Sequence, residues 1–446
     1  MQLSRRLVIT GIGAAALAPF AVRAQAAGMG GALLATDLGI DPASSEDQSA
    51  AIQAAIDTAA AEGRGLFLPG GTYRIGALRL ASASMIGGVP GATRLLAIGD
   101  APALTGSGLA ALTLEGFTLD GGGLGPNGND TGLLALANCG ELALEALTLE
   151  NCRGHALHLE NSFGTVRGCA FRHADAGLFS LDAKGLLIEG NSIADCANAG
   201  VLVWGSAAGP DGTIVTGNRI ARIASLAGGN GQNGNGVNVF RAGGVIVADN
   251  QISDCAFSAV RVNGADDSQI RGNVCRSISE VAIFSEFGFS GSVIADNIVD
   301  VAAGGISMTN FDAGGHLATC SGNIVRNVTR LSATNPDTVP FGIFAEADAA
   351  ISGNLVDSVP GIGIGAGWGP YLRDVSVSAN VVRETMIGIG VSVAEGAGAA
   401  SITGNLVSGA RLAAIAGMEW SEIAEPDLVA NAGRYPQLNV AGNLVR

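Results

Sequence analysis

The chain has 446 residues, with 24 basic against 39 acidic side chains and a formal charge of −15 at pH 7. Such an acidic surface repels phosphate backbones and anionic headgroups, which argues against nucleic acid and membrane surfaces as partners. Only 14% of residues are charged and 48% are apolar, so an ordered chain with a large core is expected. A single core rarely grows past about 250–300 residues, so this length implies several domains or a solenoid.

The first residues read as an address. Arg5-Arg6 precede an apolar run from Leu7 to Val22, and Ala24-Gln25-Ala26 supplies a small-x-small cleavage site. The run is shorter than the roughly 20 residues a bilayer span needs, and no later stretch is long and apolar enough to span. Residues 1–26 resemble a twin-arginine export signal, which implies a periplasmic or secreted mature protein.

Residues 27–104 differ in pattern from the rest of the chain. Ser49 to Ile56 is helix-like, with Ile52 and Ile56 on one face. Gly65-Leu66-Phe67-Leu68-Pro69-Gly70-Gly71-Thr72-Tyr73 reads as a strand and turn. A solenoid's open end must be covered, and an amphipathic helix can cover it.

From residue 105 to 446 a phrase recurs: apolar-x-Gly-Asn-x-apolar, as in Ile188-Glu189-Gly190-Asn191 and Ile402-Thr403-Gly404-Asn405, with variants at Asp249-Asn250, Asp296-Asn297 and Ala379-Asn380. The asparagines fall at 191, 218, 250, 273, 297, 323, 354, 380, 405 and 443. Their spacing has a floor of 23 residues with occasional excess, the signature of a solenoid with loop insertions. Degenerate earlier copies are Gly116-Phe117 and Gly168-Cys169. Gly and Asn tolerate left-handed backbone at a tight turn, and stacked Asn amides can hydrogen-bond along the axis as a ladder. These asparagines are therefore read as structural. Eight or nine residues after most of them comes a second strand, as in Gly200-Val201-Leu202 and Gly305-Ile306-Ser307, whose second residue points inward and whose first, third and fifth point outward. The fold predicted is an all-β, right-handed single-stranded parallel β-helix with an N-terminal capping helix.

Seven cysteines, Cys139, Cys152, Cys169, Cys196, Cys255, Cys275 and Cys320, are odd in number and show no CxxC spacing. Most fall at inward or turn positions of the repeat, so buried, unpaired thiols are expected.

Asp47 through Tyr73 resembles the opening of pectate-lyase-like and polygalacturonase-like β-helix proteins. Together with the export signal and the repeats, the chain resembles a twin-arginine-translocated, pectate-lyase-like repeat family. The resemblance implies the fold and does not imply a chemistry. Of the polygalacturonase signatures only Asp266-Asp267 matches by type; Gly154-His155-Ala156 breaks the histidine motif, and the Arg-x-Pro-x-x-Arg pattern of one pectate lyase group is absent. Asp266-Asp267 by itself reads as a solvated turn. Some pectate lyases recruit calcium through outward acidic side chains and a bound uronate, so calcium stays open; spacing shows no metal constellation, and no other cofactor is implied.

The geometry of the repeat marks a better candidate. Two insertions fall at one corner, between Asn218 and Gly236 and between Asn323 and Gly342; the second contains Thr334 to Thr338. Four rung steps of about 4.8 Å separate their strands, so they would wall a groove about 19 Å wide. Outward residues between the walls are polar and aromatic: Asn238, Phe240, Arg241, Arg261, Asn263, Phe284, Glu286, Ser307, Thr309, Asn310, Phe344 and Glu346, with Trp204 one rung earlier. Later rungs show Gly365, Gly367, Gly390 and Ser392, a nearly bare surface. Glu286 and Glu346 lie two rungs apart, about 9–10 Å, close to the carboxylate separation of inverting glycosidases. Arg261 would orient a uronic-acid carboxylate or act as the base of a β-eliminating lyase; the plain alternative is an exposed Arg261–Glu286 ion pair. His158 and Glu160 read as a solvated pair, and Trp368 and Trp420 as loop residues that cover the core. These residues fit two functions. One is a secreted polysaccharide hydrolase or lyase acting on an acidic or cell-surface glycan, with Glu286, Glu346 and Arg261 catalytic. The other is a non-catalytic β-helix that binds glycan or serves the envelope structurally.

Overall fold

The computed structural model describes residues 31–126, 131–229, 231–329, 331–332 and 339–446. Residues 1–26, read above as resembling an export signal, and the Thr334 to Thr338 insertion lie outside the described residues. What is described is a right-handed parallel β-helix, the hand that parallel crossovers adopt.

Each full coil carries three strand segments. The first belongs to a sheet that runs from Leu33–Leu34 to Leu438–Ala441, every neighbour parallel and in register. A tight turn comes next, then the second and third segments. In some coils these two fuse into one bent strand. The third segments that matter for function are β1 (Ala199–Pro210), β2 (Asn235–Gly243), β3 (Val260–Asn263), the end of β4 (Val274–Glu286), the end of β5 (Ile298–Met308) and β6 (Phe341–Ala345). At the N-terminal end helix α1 (Ser49–Ala61) turns Ile52, Ala55, Ile56 and Ala59 into the coil and leaves its other face exposed. It packs on the strands Leu66–Leu68 and Ser84–Gly88, as a cap should.

Inside, apolar side chains stack in files along the axis. Val237, Val260, Ile283, Ile306, Ile343, Ile364 and Ile389 are successive register partners and all fully buried. Each contributes about 1.5–3 kcal/mol of burial. All seven cysteines are buried and unpaired. Burial pushes the thiols of Cys152, Cys196, Cys275 and Cys320 up to about 12, so they are inert hydrophobes rather than reactive groups.

The turn explains the Gly-Asn phrase, with a division of labour finer than the sequence suggested. The residue before each ladder position takes the left-handed conformation: Gly190 (φ 64°), Gly272 (φ 65°) and Gly404 (φ 64°), but also Asp249 (φ 57°), Asp296 (φ 57°) and Ala379 (φ 56°). The asparagine itself is chosen for its amide. Asn297 is fully buried, and its Oδ1 accepts from both the backbone N–H and the Nδ2 of Asn273, each at 3.0 Å. Its own Nδ2 donates to Ile270 O at 2.9 Å and to Asn323 Oδ1 at 3.0 Å. Amide-to-amide bonds of 2.9–3.0 Å continue without a break from Asn191 to Asn443. The degenerate copy Gly168-Cys169 sits at the head of the series, with the Cys169 N–H donating to Asn191 Oδ1.

On the outside of the second segments a file of alternating charge runs Arg276, Asp300, Arg326, Asp357, Arg383 in register. The surface pairs Arg326–Asp300 (2.9 Å) and Arg383–Asp357 (3.3 Å) are screened by solvent and contribute little by themselves. Their alternation matters more, because like charges directly opposite oppose pairing.

Replacing Asn297 by Ala orphans the Asn273 N–H, takes one acceptor from the Asn273 Nδ2, which keeps Val247 O, and removes the side-chain donor to Ile270 O. Each buried unsatisfied group costs about 1–3 kcal/mol, so Asn297→Ala is expected to lose roughly 2–4 kcal/mol. Denaturant unfolding monitored by circular dichroism reads this directly, and an unchanged midpoint would refute the account of the ladder.

Candidate functional site

Alternation along the third segments sends their apolar residues inward and presents two outward files. In one, Leu202, Asn238, Arg261, Phe284, Ser307 and Phe344 are successive partners. In the other, Trp204, Phe240, Asn263 and Glu286 lie side by side. Residues spread over more than 80 sequence positions thus share one wall.

Six of the sequence-predicted residues converge on a cavity of about 270 Å3: Trp204, Asn238, Phe240, Arg261, Asn263 and Glu286, joined by Gly231, Gln232 and Phe287. Trp204 donates its indole N–H to Asn238 Oδ1 at 3.0 Å, and its ring meets Phe240 edge to face, centroids 5.6 Å apart. Phe287, 46% exposed and left-handed at φ 57°, forms the opposite rim. A larger depression of about 640 Å3 lies on the first sheet, around Asp267, Leu317, Asp348 and Asp374. Its walls carry neither a ring nor a cation, so the smaller cavity has the richer chemistry.

The floor of the cavity is a buried ion cluster. Arg261 grips Glu286 with two parallel bonds of 2.7 Å, Nε to Oε1 and Nη2 to Oε2. Its Nη1 donates to Glu280 Oε2 at 2.9 Å. Asn263 Nδ2 adds a bond to Glu286 Oε1 at 2.9 Å. Arg261, Glu280 and Glu286 are all nearly buried, so the pair expected at the surface is a desolvated fork. The guanidinium also lies over Phe284, 4.9 Å from the ring centroid. Gly231 of the first insertion roofs it: a Cβ there would come within 2.4 Å of the Arg261 Cζ, which is why this loop is glycine-rich at that point. Burial raises the Glu280 carboxyl, with Arg261 pulling it back and Glu286 pushing it further up.

This arrangement has chemical consequences. The donors of Arg261 are committed to two carboxylates, and a guanidinium carries no acceptor lone pair to serve as a base. Both oxygens of Glu286 are likewise occupied. What the cavity does offer is polar groups beside rings: among the described residues Asn238 Nδ2 and Asn263 Oδ1 have no protein partner. No grouping of His, Cys, Asp and Glu among the described residues is placed to hold a metal ion. The two carboxylates nearest the cavity, Glu280 and Glu286, are held by Arg261.

Arg241, Thr309, Asn310 and Glu346 lie apart from the cavity. Arg241 is exposed, stacks on the outer side of Phe240 (4.6 Å to the centroid) and donates to Ser206 O. Thr309 bonds Ser307 Oγ at 3.2 Å. Asn310 is left-handed (φ 68°) and accepts from the Phe287 N–H, pinning the loop that holds the short helix Phe311–Ala313. That loop closes over Glu346, whose Oε2 accepts from the Phe311 N–H at 2.7 Å. Burial pushes the Glu346 carboxyl up to about 7, opposed by the Phe311 N–H and assisted by Asp312.

Three further expectations are corrected. His158 is buried with His155 against Phe179 rather than solvated beside Glu160. Trp420 is 46% exposed and does not cover the core. Gly365 is bare because the Phe344 ring lies on it, where a Cβ would come within 2.3 Å of Cδ2. Sequence reasoning missed Glu280 and Phe287, whereas Gly231 falls in the insertion between Asn218 and Gly236 that was expected to wall the groove. The one available signal was a carboxylate at the corner of β4, where neighbouring coils place small or apolar residues.

A family model described as a right-handed beta helix region matches residues 155–329. No curated protein matches the chain. Among solved structures, the pre-mature gene product 12 of bacteriophage phi29 superposes with a TM-score of 0.53 at 14% identity, over 88% of this chain and 58% of that one. The ORF18 protein of Geobacillus virus E2 gives 0.49 at 16%, over 62% and 57%. The catalytic unit of a GH87 alpha-1,3-glucanase from Streptomyces thermodiastaticus gives 0.47 at 13%, over 93% and 69%. The chain therefore spans less than two thirds of either viral protein, and at these identities the likeness is one of fold.

Two measurements check the electrostatics. Arg261→Met strands two buried carboxylates and should destabilise the fold by about 3–5 kcal/mol in denaturant titration at pH 7. For Glu346, the folded state binds its proton more tightly than the unfolded chain does. Its contribution is full below the ordinary carboxyl range and is lost as pH rises towards about 7. Wild type should therefore lose roughly 2–3 kcal/mol relative to Glu346→Gln between pH 4.5 and pH 7.5, read as the difference of their thermal midpoints. A pH-independent difference would contradict the burial of this group.

Proposed function

We propose that this β-helix binds a polysaccharide or oligosaccharide in the cavity between Trp204 and Phe287. One observation carries the reading: rings and amides meet in a single rigid pocket. Trp204, Phe240 and Phe287 offer apolar surface for the C–H faces of a sugar. Asn238 and Asn263 offer a donor and an acceptor for hydroxyls. The Arg261 cluster supports the floor without being spent on the ligand. Because strands fix Trp204, Asn238, Phe240, Asn263 and Glu286, little ordering of these residues opposes binding.

Binding is favoured over catalysis because, among the described residues, no free acid–base pair lines the pocket. Glu286 is held by Arg261 and Asn263, and Glu346 lies under its own loop. A hydrolytic reading keeps one supporting observation. Glu346 stays protonated towards neutral pH, as a general acid must. It would act only on a chain that reaches it past the Phe311 loop.

Printed glycan arrays and titration calorimetry on the purified protein test the first reading. Trp204→Ala and Asn238→Ala should each weaken the best array ligand by about tenfold or more. An array without a single specific ligand for wild type would sink it. A reducing-end assay on the same ligand tests the second: turnover by wild type that Glu346→Gln retains in full removes Glu346 from any mechanism.

A further inference from the structure

A second aromatic site stands at the far end of the same wall. The strand Ala413–Glu419 and the strand Glu422–Glu425 form a hairpin, the only antiparallel strand pairing among the described residues. Its turn places Trp420 at φ 55°, a conformation rare for a bulky side chain, and leaves it 46% exposed. A second tight turn, Trp368 to Tyr371, is closed by reciprocal backbone bonds of 3.1 and 3.0 Å. Ser392 Oγ fastens that turn by donating to Gly369 O at 2.6 Å. Between the two turns, Trp368 and Trp420 meet edge to face at 5.7 Å and Tyr371 lies 6.5 Å from Trp420. Gly369 abuts the Trp420 ring so closely that a Cβ would lie 2.5 Å from Cη2.

Two turns are thus fixed around a ring that stays at the surface. A packing role would bury it, since exposing an indole opposes the hydrophobic effect. Exposed Glu419 and Glu422 flank it with hydroxyl acceptors. The floor under the Trp204 pocket holds two carboxylates, Glu280 and Glu286, against the one guanidinium of Arg261. From the coil of β1 to the coil of Ala413–Glu419 there are eight rung steps, about 38 Å along the axis.

We propose that the Trp368–Tyr371–Trp420 cluster is a second sugar-stacking site, and that the ligand is a neutral polysaccharide long enough to lie along the wall from Trp204 to Trp420. This rests on the glycan reading of the Trp204 pocket and extends it. Two stacking sites on one polymer multiply through effective concentration, so loss of either weakens a long chain, while loss of the Trp420 site spares a short one held at Trp204 alone. Carboxylates at both ends disfavour a uronate polymer.

Affinity electrophoresis in gels containing laminarin, mannan or alginate tests this with wild type, Trp204→Ala and Trp420→Gly. Glycine suits the left-handed turn, so Trp420→Gly removes the ring without straining the hairpin. Expected is retardation of wild type in a neutral gel, about tenfold weaker for each variant, with the thermal midpoint of Trp420→Gly held within a few degrees. Trp420→Phe, which keeps a ring in the turn, should retain most of the retardation. If wild type is retarded and Trp420→Gly matches it, the second site fails while the pocket stands. If Trp204→Ala also matches wild type, the pocket fails too. Retardation in alginate alone overturns the neutral ligand. No retardation of wild type in any gel overturns both sites.

Discussion

The structure depends on a column of amides that has no access to water. From Asn218 to Asn405 every ladder asparagine is buried, and each accepts two hydrogen bonds from the coil before it while donating to the coils on either side, as Asn297 does. In a low-dielectric interior such bonds are stronger than in solvent and leaving one unmade is expensive. Neighbouring coils consequently have one favourable registration. That registration, rather than any single apolar contact, decides which outward residues become neighbours. Insertions between ladder positions, as between Asn218 and Asn250, bulge at a corner without disturbing it.

The same logic runs through the cavity floor. Arg261 is a charge that could not remain buried alone, and Glu286 and Glu280 are carboxylates with the same difficulty. Together they satisfy one another, with Asn263 completing the set and Gly231 closing the lid. Such a cluster makes a stiff base and a poor reagent. Its rigidity suits recognition by shape and hydrogen bonding. It also underlies the proposal of binding, rather than catalysis, for a column that looked catalytic in the sequence.

How far the sequence disclosed this depends on which features repeat. Inward residues such as Val260 and Ile283 and ladder residues such as Asn273 recur at nearly constant spacing, so their partners could be read from the chain. So could the two outward files, because alternation along a strand is strict. Asn238, Arg261, Asn263 and Glu286 accordingly meet as expected. Reach and burial could not be read. Glu280 is 19 residues from Arg261 by way of a corner with no fixed count. Glu346 lies in the right file but is hidden by a loop that only folding brings over it. Gly365 resembled empty surface because a sequence does not show which ring leans across from the neighbouring coil. In Gly365 the missing side chain is the seat for Phe344.

The stacking of coils also gives the molecule a scale with fixed graduations. Any two points on its outer wall are separated along the axis by a whole number of strand spacings, each about 4.8 Å. Gain or loss of a coil would move one aromatic cluster relative to the other by a single graduation and leave each cluster intact. Evolution can therefore tune the span of this wall in equal increments, independently of the chemistry at its two ends.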